Sequence, residues 1–276
     1  MEGIQKVKMS SHTILTMGAN ANQRTMSILY GDRIAKTIRN KKEYFPGDEL
    51  HPASSYNILD RLPFMKYIKR RCDLTLFEGE MLEALYQYRD TSNRIAILCS
   101  ASPETPCEGF KKAPYNQEGR ICSVSALYAI MSDVRLESFY LWNREHRDDG
   151  NYPPHAIWLP NVPFYPEGTD KDFDCNIISI SPPLSSEDPN VLENFKRHLR
   201  MIFAVARDNR VDTLILCPYG LEPPNCWSPD VIVDVLMQEP PKYEKFLKDL
   251  VFVVPKHEKA GYSKFVAKFR SYGFNI

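Results

Sequence analysis

The stretch from Cys99 to Glu118 carries the side chains best placed for chemistry. An apolar run, IAILC, is followed by seventeen residues and then by the helix-forming stretch QEGRICS. Structured loops of this length commonly bind ligands or close over them. Glu118 falls in the first helical turn, where the helix dipole favours a carboxylate. Because glutamate is also an ordinary residue at helix starts, its position leaves a catalytic and a purely structural role open.

Two further loops follow apolar runs and are expected at the same edge of a sheet. They cover residues 181–188 and 217–228. In open α/β sheets the ligand crevice forms beyond the carboxyl ends of the strands, where such loops meet. The later loop, CPYGLEPPNCWS, has one glycine, so taken alone it is a weak phosphate-binding motif. Ser228 followed by Pro229 predicts that a helix starts there.

Short apolar runs alternate with helical stretches, which predicts a sheet wrapped by helices. Several runs are apolar on both sides, as in strands buried on both faces. The predicted strands are Cys72–Phe77, Arg94–Cys99, Ala156–Leu159, Asn176–Ser181, Asp212–Cys217 and Leu250–Val254. The predicted helices are Asn22–Arg39, Glu78–Arg89, Gln117–Met131, Pro189–Asn209, Pro229–Met237 and Lys259–Tyr272.

The chain is expected to form one domain over residues 21–276, with an N-terminal helical extension. Residues 1–20 are polar and lack periodicity, so a poorly ordered start is expected. The proline-rich segment 152–166 contains aromatic and branched residues that can pack. It predicts an ordered loop around a short edge strand.

The composition is that of a soluble globular protein, with 43% hydrophobic and 25% charged residues and no apolar run long enough for a membrane span. Lys plus Arg and Asp plus Glu are equal at 35 each, so no global positive field attracts nucleic acid. The basic run 66–71, KYIKRR, is more typical of a solvated helix face than of a nucleic-acid site.

Seven cysteines without a CxxC pair, and no signal peptide at Met1, favour an intracellular location in the cytoplasm or nucleus. The six histidines are scattered singly, so no metal site is predicted. No cofactor is implied either. The sequence does not indicate an oligomeric state.

The segment ILCSASPETPCEGFKKAPYNQEGRICSVSALY resembles the catalytic loop of microbial-type poly(ADP-ribose) glycohydrolases. That family's pattern is a strand, an Asn-containing turn, Pro-Gly-Gly-Gly-aromatic, a spacer, and Gln-Glu-Glu opening a helix. The resemblance extends, in the order of its parts, over most of residues 20–270. It implies a three-layer macrodomain-like α/β fold, with a mixed sheet, helices on both faces and a crevice for ADP-ribose-type ligands.

The resemblance also implies the site residues. Pro106, Gly109 and Phe110 match the family's Pro, last Gly and aromatic residue, while Cys107 and Glu108 replace the first two glycines. Gln117 and Glu118 match Gln and the first Glu, but Gly119 replaces the second Glu and Cys99 the Asn. The expected ligand-binding residues are Cys99, Pro106, Glu108, Gly109, Phe110, Gln117, Pro183, Tyr219 and Gly220, with Glu118 as the candidate catalytic residue.

The departures predict weakened or absent catalysis. The resemblance implies that the second Glu of the family's Gln-Glu-Glu motif is the general acid. This acid must protonate the leaving oxygen of the glycosidic bond. Glycine at position 119 has no proton to give. Three hypotheses follow: a silent module that binds an ADP-ribose-type ligand or a protein, a hydrolase using Glu118 or Glu108 as a rearranged acid, and a nucleic-acid or partner surface around Lys66–Arg71, Trp142 and Trp158.

Overall fold

A computed structural model describes most of the chain. The described residues are 19–50, 72–90, 94–108, 110, 116–148, 151–165, 172–238, 246–255 and 259–274. The basic run 66–71 and residues 1–18 lie outside these ranges. Of the segment 1–20, expected to be poorly ordered, Ala19 and Asn20 are described and begin a helix.

Seven strands form one mixed sheet in the order β1-β4-β5-β3-β6-β7-β2. Their bounds are β1 Lys42–Tyr44, β2 Asp73–Glu78, β3 Ile95–Ser100, β4 Ala156–Phe164, β5 Phe173–Ile180, β6 Thr213–Leu216 and β7 Asp249–Val254. Strand β4 pairs antiparallel with β1 and β5, and the remaining pairs are parallel. The carboxyl ends of β2, β3, β5, β6 and β7 therefore share one edge, where a crevice can form.

Helices cover both faces of the sheet and make the fold a three-layer α/β architecture, as the sequence predicted. They are α1 Ala19–Arg39, α2 Met81–Tyr88, α3 Gln117–Ser123, α4 Leu127–Met131, α5 Glu137–Glu145, α6 Pro189–Asp208, α7 Pro229–Gln238 and α8 Lys259–Ser271. The first five pack into one apolar core and the last three into another. Alternate residues of β3 divide between the two cores: Ile95 and Ile97 face one, Ala96 and Leu98 the other.

The predicted helix Gln117–Met131 is two helices, so that expectation was wrong. The chain breaks between α3 and α4, where Ser125 bridges to Phe164 of β4. The backbone N–H of Ala126 donates to the carbonyl of Pro163, and the hydroxyl of Tyr165 donates to the carbonyl of Ser125. These contacts with β4 and with Tyr165, the residue after it, interrupt the helix at residues 124–126.

The expectation of a short edge strand in the proline-rich segment was also wrong. Strand β4 is nine residues long and lies between β1 and β5. It accommodates Pro160 because its pairing with β5 shifts register between Leu159 and Val162, whereas Pro163 pairs with Asp174 beyond the residues that β1 covers. Asn161 at this irregularity has a φ of +53°, as bulges often require.

No helix among the described residues is long and apolar enough to cross a membrane.

Candidate functional site

A cleft of about 840 Å³ opens at the edge where the parallel strands end. Its walls are the segments that follow β2, β3, β5, β6 and β7, together with the start of α3. The lining includes Glu80, Ser102, Glu104, Glu108, Asn116, Gln117, Arg120, Arg147, Tyr152, Gly220, Leu221 and Glu222. The volume is in the range of about 300–1,000 Å³ that is usual for small-molecule sites.

Gln117 joins the start of α3 to the end of β3. Its side-chain carbonyl accepts from the N–H of Ser100 at 2.7 Å, and its amide donates to the carbonyl of Leu98 at 2.7 Å. The preceding residue, Asn116, caps the helix by accepting from the N–H of Gly119 at 2.8 Å. Gln117 therefore fixes the floor of the cleft, and its polar atoms are occupied by the protein itself.

Glu118, the candidate catalytic residue, lies beneath the loop that follows β3. Its side chain is 1% exposed and does not line the cleft. Its carboxyl accepts from the backbone N–H of Ser102 at 3.2 Å and from that of Cys107. Burial raises the pKa of Glu118 to about 8, with Glu108 adding to the rise and the two backbone hydrogen bonds opposing it. The group is therefore a neutral, enclosed acid at pH 7 that holds the loop down.

Glu108 is the carboxyl of this loop that does line the cleft. It is exposed, and the hydroxyls of Ser102 and Thr105 each donate to its Oε2 at 3.4 Å. Cys107, the residue before it, has a φ of +48°, which lies in the left-handed region. Glycine adopts this region readily and asparagine sometimes does, but other residues rarely do. Cys107 therefore adopts a backbone conformation typical of glycine, and Glu108 adds a carboxylate to the cleft.

The loops 181–188 and 217–228 are fastened to each other by polar side chains. The side-chain amide of Asn225 donates to the carbonyls of Pro182 and Pro183, and the indole N–H of Trp227 donates to Pro183 at 2.9 Å. The hydroxyl of Tyr219 donates to the carbonyl of Ser181 at 2.6 Å. The rings of Tyr219 and Trp227 stack with the ring of Phe195 in α6. The two loops, which form one wall of the cleft, are therefore packed against the core.

Gly220 is required where it stands. Its φ is +81°, and a Cβ there would lie 2.7 Å from Cδ1 of Trp227. The N–H of Trp227 also donates to the carbonyl of Gly220 at 2.9 Å, which closes the turn. The backbone conformation and the packed indole both exclude a side chain at this position.

We expect Gly220→Ala to lower the free energy of unfolding by about 2–4 kcal/mol, because it adds backbone strain and a clash with Trp227. The matched control is Gly273→Ala, where φ is +87° but nothing lies within 4 Å of the added Cβ. That change isolates the backbone cost, expected at about 1 kcal/mol. Urea unfolding of both variants makes the comparison; equal losses would contradict a packing role for Trp227 at Gly220.

The structure divides the other predicted site residues. Gly220, Glu108 and Gln117 line the cleft, whereas five others are absent from its described lining: Cys99, Pro106, Phe110, Pro183 and Tyr219. Cys99 is fully buried in β3, and Phe110 packs on Tyr128 with a ring separation of 5.2 Å. Gly109 lies outside the described residues.

The sequence did not reveal a network of charged and polar side chains at the cleft rim. Glu104 accepts from the hydroxyl of Tyr152 at 2.5 Å and pairs with Arg147 at 3.0 Å. Arg120 and Glu80, which also line the cleft, form a second ion pair. Arg147 and Tyr152 follow α5, a helix that the apolar spacing did not predict, so nothing in the sequence pointed to them.

Asn143 of α5 positions the start of the loop after β3. Its side-chain amide donates to the carbonyl of Pro103 at 2.8 Å, and its carbonyl contacts Nδ1 of His155 at 2.7 Å. Burial lowers the pKa of His155 to about 3, with His146 adding to the effect. His155 is therefore neutral at pH 7 and acts through Asn143 as a structural support.

Within the described ranges, no three His, Cys, Asp or Glu side chains come together as metal ligands would.

A family profile described as the catalytic domain of microbial-type poly(ADP-ribose) glycohydrolase (PARG) matches residues 10–167, more than half of the chain. No curated protein matches the sequence.

Solved structures of bacterial PARGs share the fold. The enzyme from Thermomonospora curvata superposes with a TM-score of 0.75 and 18% identity over 94% of this chain and 99% of its own. The same enzyme bound to the inhibitor ADP-HPD gives 0.74 at 18% identity, with the same coverage of both chains. The Deinococcus radiodurans enzyme in complex with ADP-ribose gives 0.70 at 20% identity over 87% of this chain and 98% of its own.

Proposed function

Because the chain belongs to the family of microbial-type PARG catalytic domains, we propose that it is a catalytically silent member that binds an ADP-ribose-type ligand in its cleft. The observation that carries the proposal is the separation of acid and cleft. Glu118 is enclosed beneath the loop, and Gly119 beside it offers no carboxyl group.

The neutral state of Glu118 would suit a general acid, but its access does not. A proton donor must come within about 2.6–3.2 Å of the leaving oxygen, directly or through one water. At 1% exposure, with Ser102 and Cys107 bound to its carboxyl, Glu118 cannot approach a ligand in the cleft unless the loop opens. Retention of the cleft, with no proton donor available from Gly119 or from the enclosed Glu118, favours binding over hydrolysis.

The choice of ligand is supported by the relatives. The Deinococcus radiodurans PARG has been solved in complex with ADP-ribose, and the Thermomonospora curvata PARG with the inhibitor ADP-HPD. The cleft of this chain is large enough for a nucleotide-sized ligand.

Binding can be tested by calorimetric titration with ADP-ribose. We expect micromolar affinity, and Ser102→Trp should weaken it by at least about tenfold because the indole fills space at a lining residue. The matched control is Leu141→Trp on α5, at an exposed residue that is not part of the described lining. It should change the affinity by less than about twofold, as expected of an exposed site.

An unmutated protein that does not bind ADP-ribose would contradict the ligand and favour a protein-interaction role. Equal losses in the two tryptophan variants would contradict the cleft as the site. RNA or DNA binding that weakens steeply with salt would instead support a nucleic-acid surface.

One observation favours a second candidate, a rearranged hydrolase. Glu108 lines the cleft and is exposed, so it can reach a ligand that Glu118 cannot. If this carboxyl served as the acid, Glu108→Gln would abolish release of ADP-ribose from modified protein.

A further inference from the structure

Three consecutive backbone N–H groups after β3 are already bonded within the protein. They belong to residues 100–102, all of which line the cleft. In chain order they donate to the side-chain carbonyl of Gln117 at 2.7 Å, the backbone carbonyl of Ile180 at 3.2 Å and the carboxyl of Glu118 at 3.2 Å. Backbone N–H groups of such loops are a usual means of holding phosphates. While these acceptors stay in place, residues 100–102 do not offer their N–H groups to a diphosphate.

Prolines occupy much of the cleft wall, and a proline has no N–H to donate. In the loop 217–228, the N–H of Leu221 donates to the carbonyl of Pro218, and that of Asn225 to the carbonyl of Glu222, both at 3.0 Å. These two residues and the lining prolines therefore contribute no backbone donor to a diphosphate. The lining prolines are Pro103, Pro182, Pro218, Pro223, Pro224 and Pro255.

The two arginines of the described lining are held by carboxyl groups of the same cleft. Arg120 pairs with Glu80, and Arg147 pairs with Glu104 at 3.0 Å. Glu104 also accepts from the hydroxyl of Tyr152 at 2.5 Å. A phosphate would have to displace a carboxylate to gain either arginine, so the two guanidinium groups contribute little net attraction for a diphosphate.

The same walls present apolar side chains that are partly exposed. Leu82, Leu184 and Leu221 line the cleft on the segments that follow β2, β5 and β6, and each is half-buried. Apolar surface in a cleft favours the apolar part of a ligand, because contact removes both surfaces from water. In ADP-ribose this part is the purine ring, since the two riboses and the diphosphate are polar.

From these observations we infer that the cleft recognises its ligand through the adenosine end, and that the diphosphate adds little to the affinity. The inference rests on the proposed function and specifies its ligand class, which is adenosine compounds with or without a diphosphate. The purine packs on the apolar walls, while the ion pairs of Arg120 and Arg147 keep both guanidinium groups from the phosphates.

Calorimetric titration with adenosine and with ADP-ribose tests the inference. ADP-ribose adds a diphosphate and a second ribose to adenosine. We expect the two dissociation constants of the unmutated protein to agree within about threefold, because the added groups find few donors that are free of other acceptors.

The double variant Glu80→Gln with Glu104→Gln should create a preference for the diphosphate. Each glutamine keeps the size of the side chain and removes the charge that holds an arginine. The guanidinium groups can then turn to the phosphates, and ADP-ribose should bind about tenfold more tightly than adenosine.

The matched control is Glu137→Gln with Glu193→Gln. These exposed carboxylates pair with Arg144 at 2.7 Å and Arg200 at 2.8 Å, and none of the four residues is part of the described lining. The control removes the same total charge and breaks two ion pairs elsewhere. It should leave adenosine and ADP-ribose within about threefold of each other.

The outcomes separate this inference from the function on which it rests. If ADP-ribose binds the unmutated protein more than about threefold more tightly than adenosine, the inference is overturned while the ADP-ribose-binding function stands. A double variant at Glu80 and Glu104 that gains no preference also overturns it, as does an equal gain in the control. If neither compound binds, both the function and the inference fail.

Discussion

The free energy of unfolding should reach its maximum near pH 6.5 and fall on both sides, with Glu118 responsible for the alkaline side. The pKa of Glu118 rises from 4.5 to about 8 on folding. The folded state therefore holds a proton that the unfolded state has released, so stability falls as pH rises from 4.5 to 8. At about 1.4 kcal/mol per pH unit, the total loss from Glu118 is on the order of 5 kcal/mol.

Two buried histidines have the opposite effect on the acid side. Burial lowers the pKa of His155 from 6.5 to about 3 and that of His198 from 6.5 to about 4. Their contribution is complete above pH 6.5 and is lost as the pH falls toward the folded values. Between pH 4.5 and 6.5 two histidines oppose one glutamate, so stability rises with pH there before it declines.

Urea unfolding between pH 4.5 and 8.5 measures this profile. The variant Glu118→Gln should remove the decline above pH 6.5, although an uncharged amide in place of the acid costs about 1–3 kcal/mol near neutral pH. Glu145→Gln, at an exposed position of α5, is the control and should leave the decline unchanged. An alkaline decline of the same slope in Glu118→Gln would mean that another group carries it.

The second large effect expected is on catalysis. General acid–base catalysis is typically worth about 10²–10⁴ in rate, and a glycosidic bond cannot be cleaved efficiently without protonation of its leaving oxygen. We therefore expect release of ADP-ribose at least about 10²-fold slower than by an active PARG under the same conditions. The residual rate should be the same in Glu118→Gln and in Glu108→Gln.

These variants distinguish a catalytically silent protein from a hydrolase that uses a rearranged acid. A measurable rate that falls in Glu108→Gln alone would identify the exposed carboxyl as a substitute acid. A rate that falls in Glu118→Gln alone would show that the loop opens and exposes the buried carboxyl; its stability at the assay pH must then be compared with that of the unmutated protein.

The sequence predicted the parts of the fold that depend on local patterns. Six strands appear where apolar runs predicted them, and α7 begins at Pro229 after Ser228, whose hydroxyl accepts from the N–H of Val231 at 3.3 Å. Strand β1 was missed because only one side chain of its three residues, Lys42–Tyr44, is buried, which is too few to give an apolar pattern. Such a strand exists through its pairing with β4 and has no apolar pattern of its own.

The site was less predictable because its chemistry depends on contacts between distant segments. The sequence placed Glu118 in the first turn of a helix, but its burial depends on backbone groups of Ser102 and Cys107 folding over it. Glu104 pairs with Arg147, which is 43 positions later in the chain and follows α5, a helix that was not predicted. Residue types and their spacing along the chain do not reveal these contacts between distant segments.

The proposed loss of hydrolysis is tested most directly by incubating the protein with poly(ADP-ribose) and measuring the ADP-ribose released, with the Thermomonospora curvata PARG assayed in parallel. We predict that the polymer stays intact over a time in which the bacterial enzyme consumes it. Release at a comparable rate would contradict the account, because it would require an accessible acid where Gly119 and the enclosed Glu118 provide none.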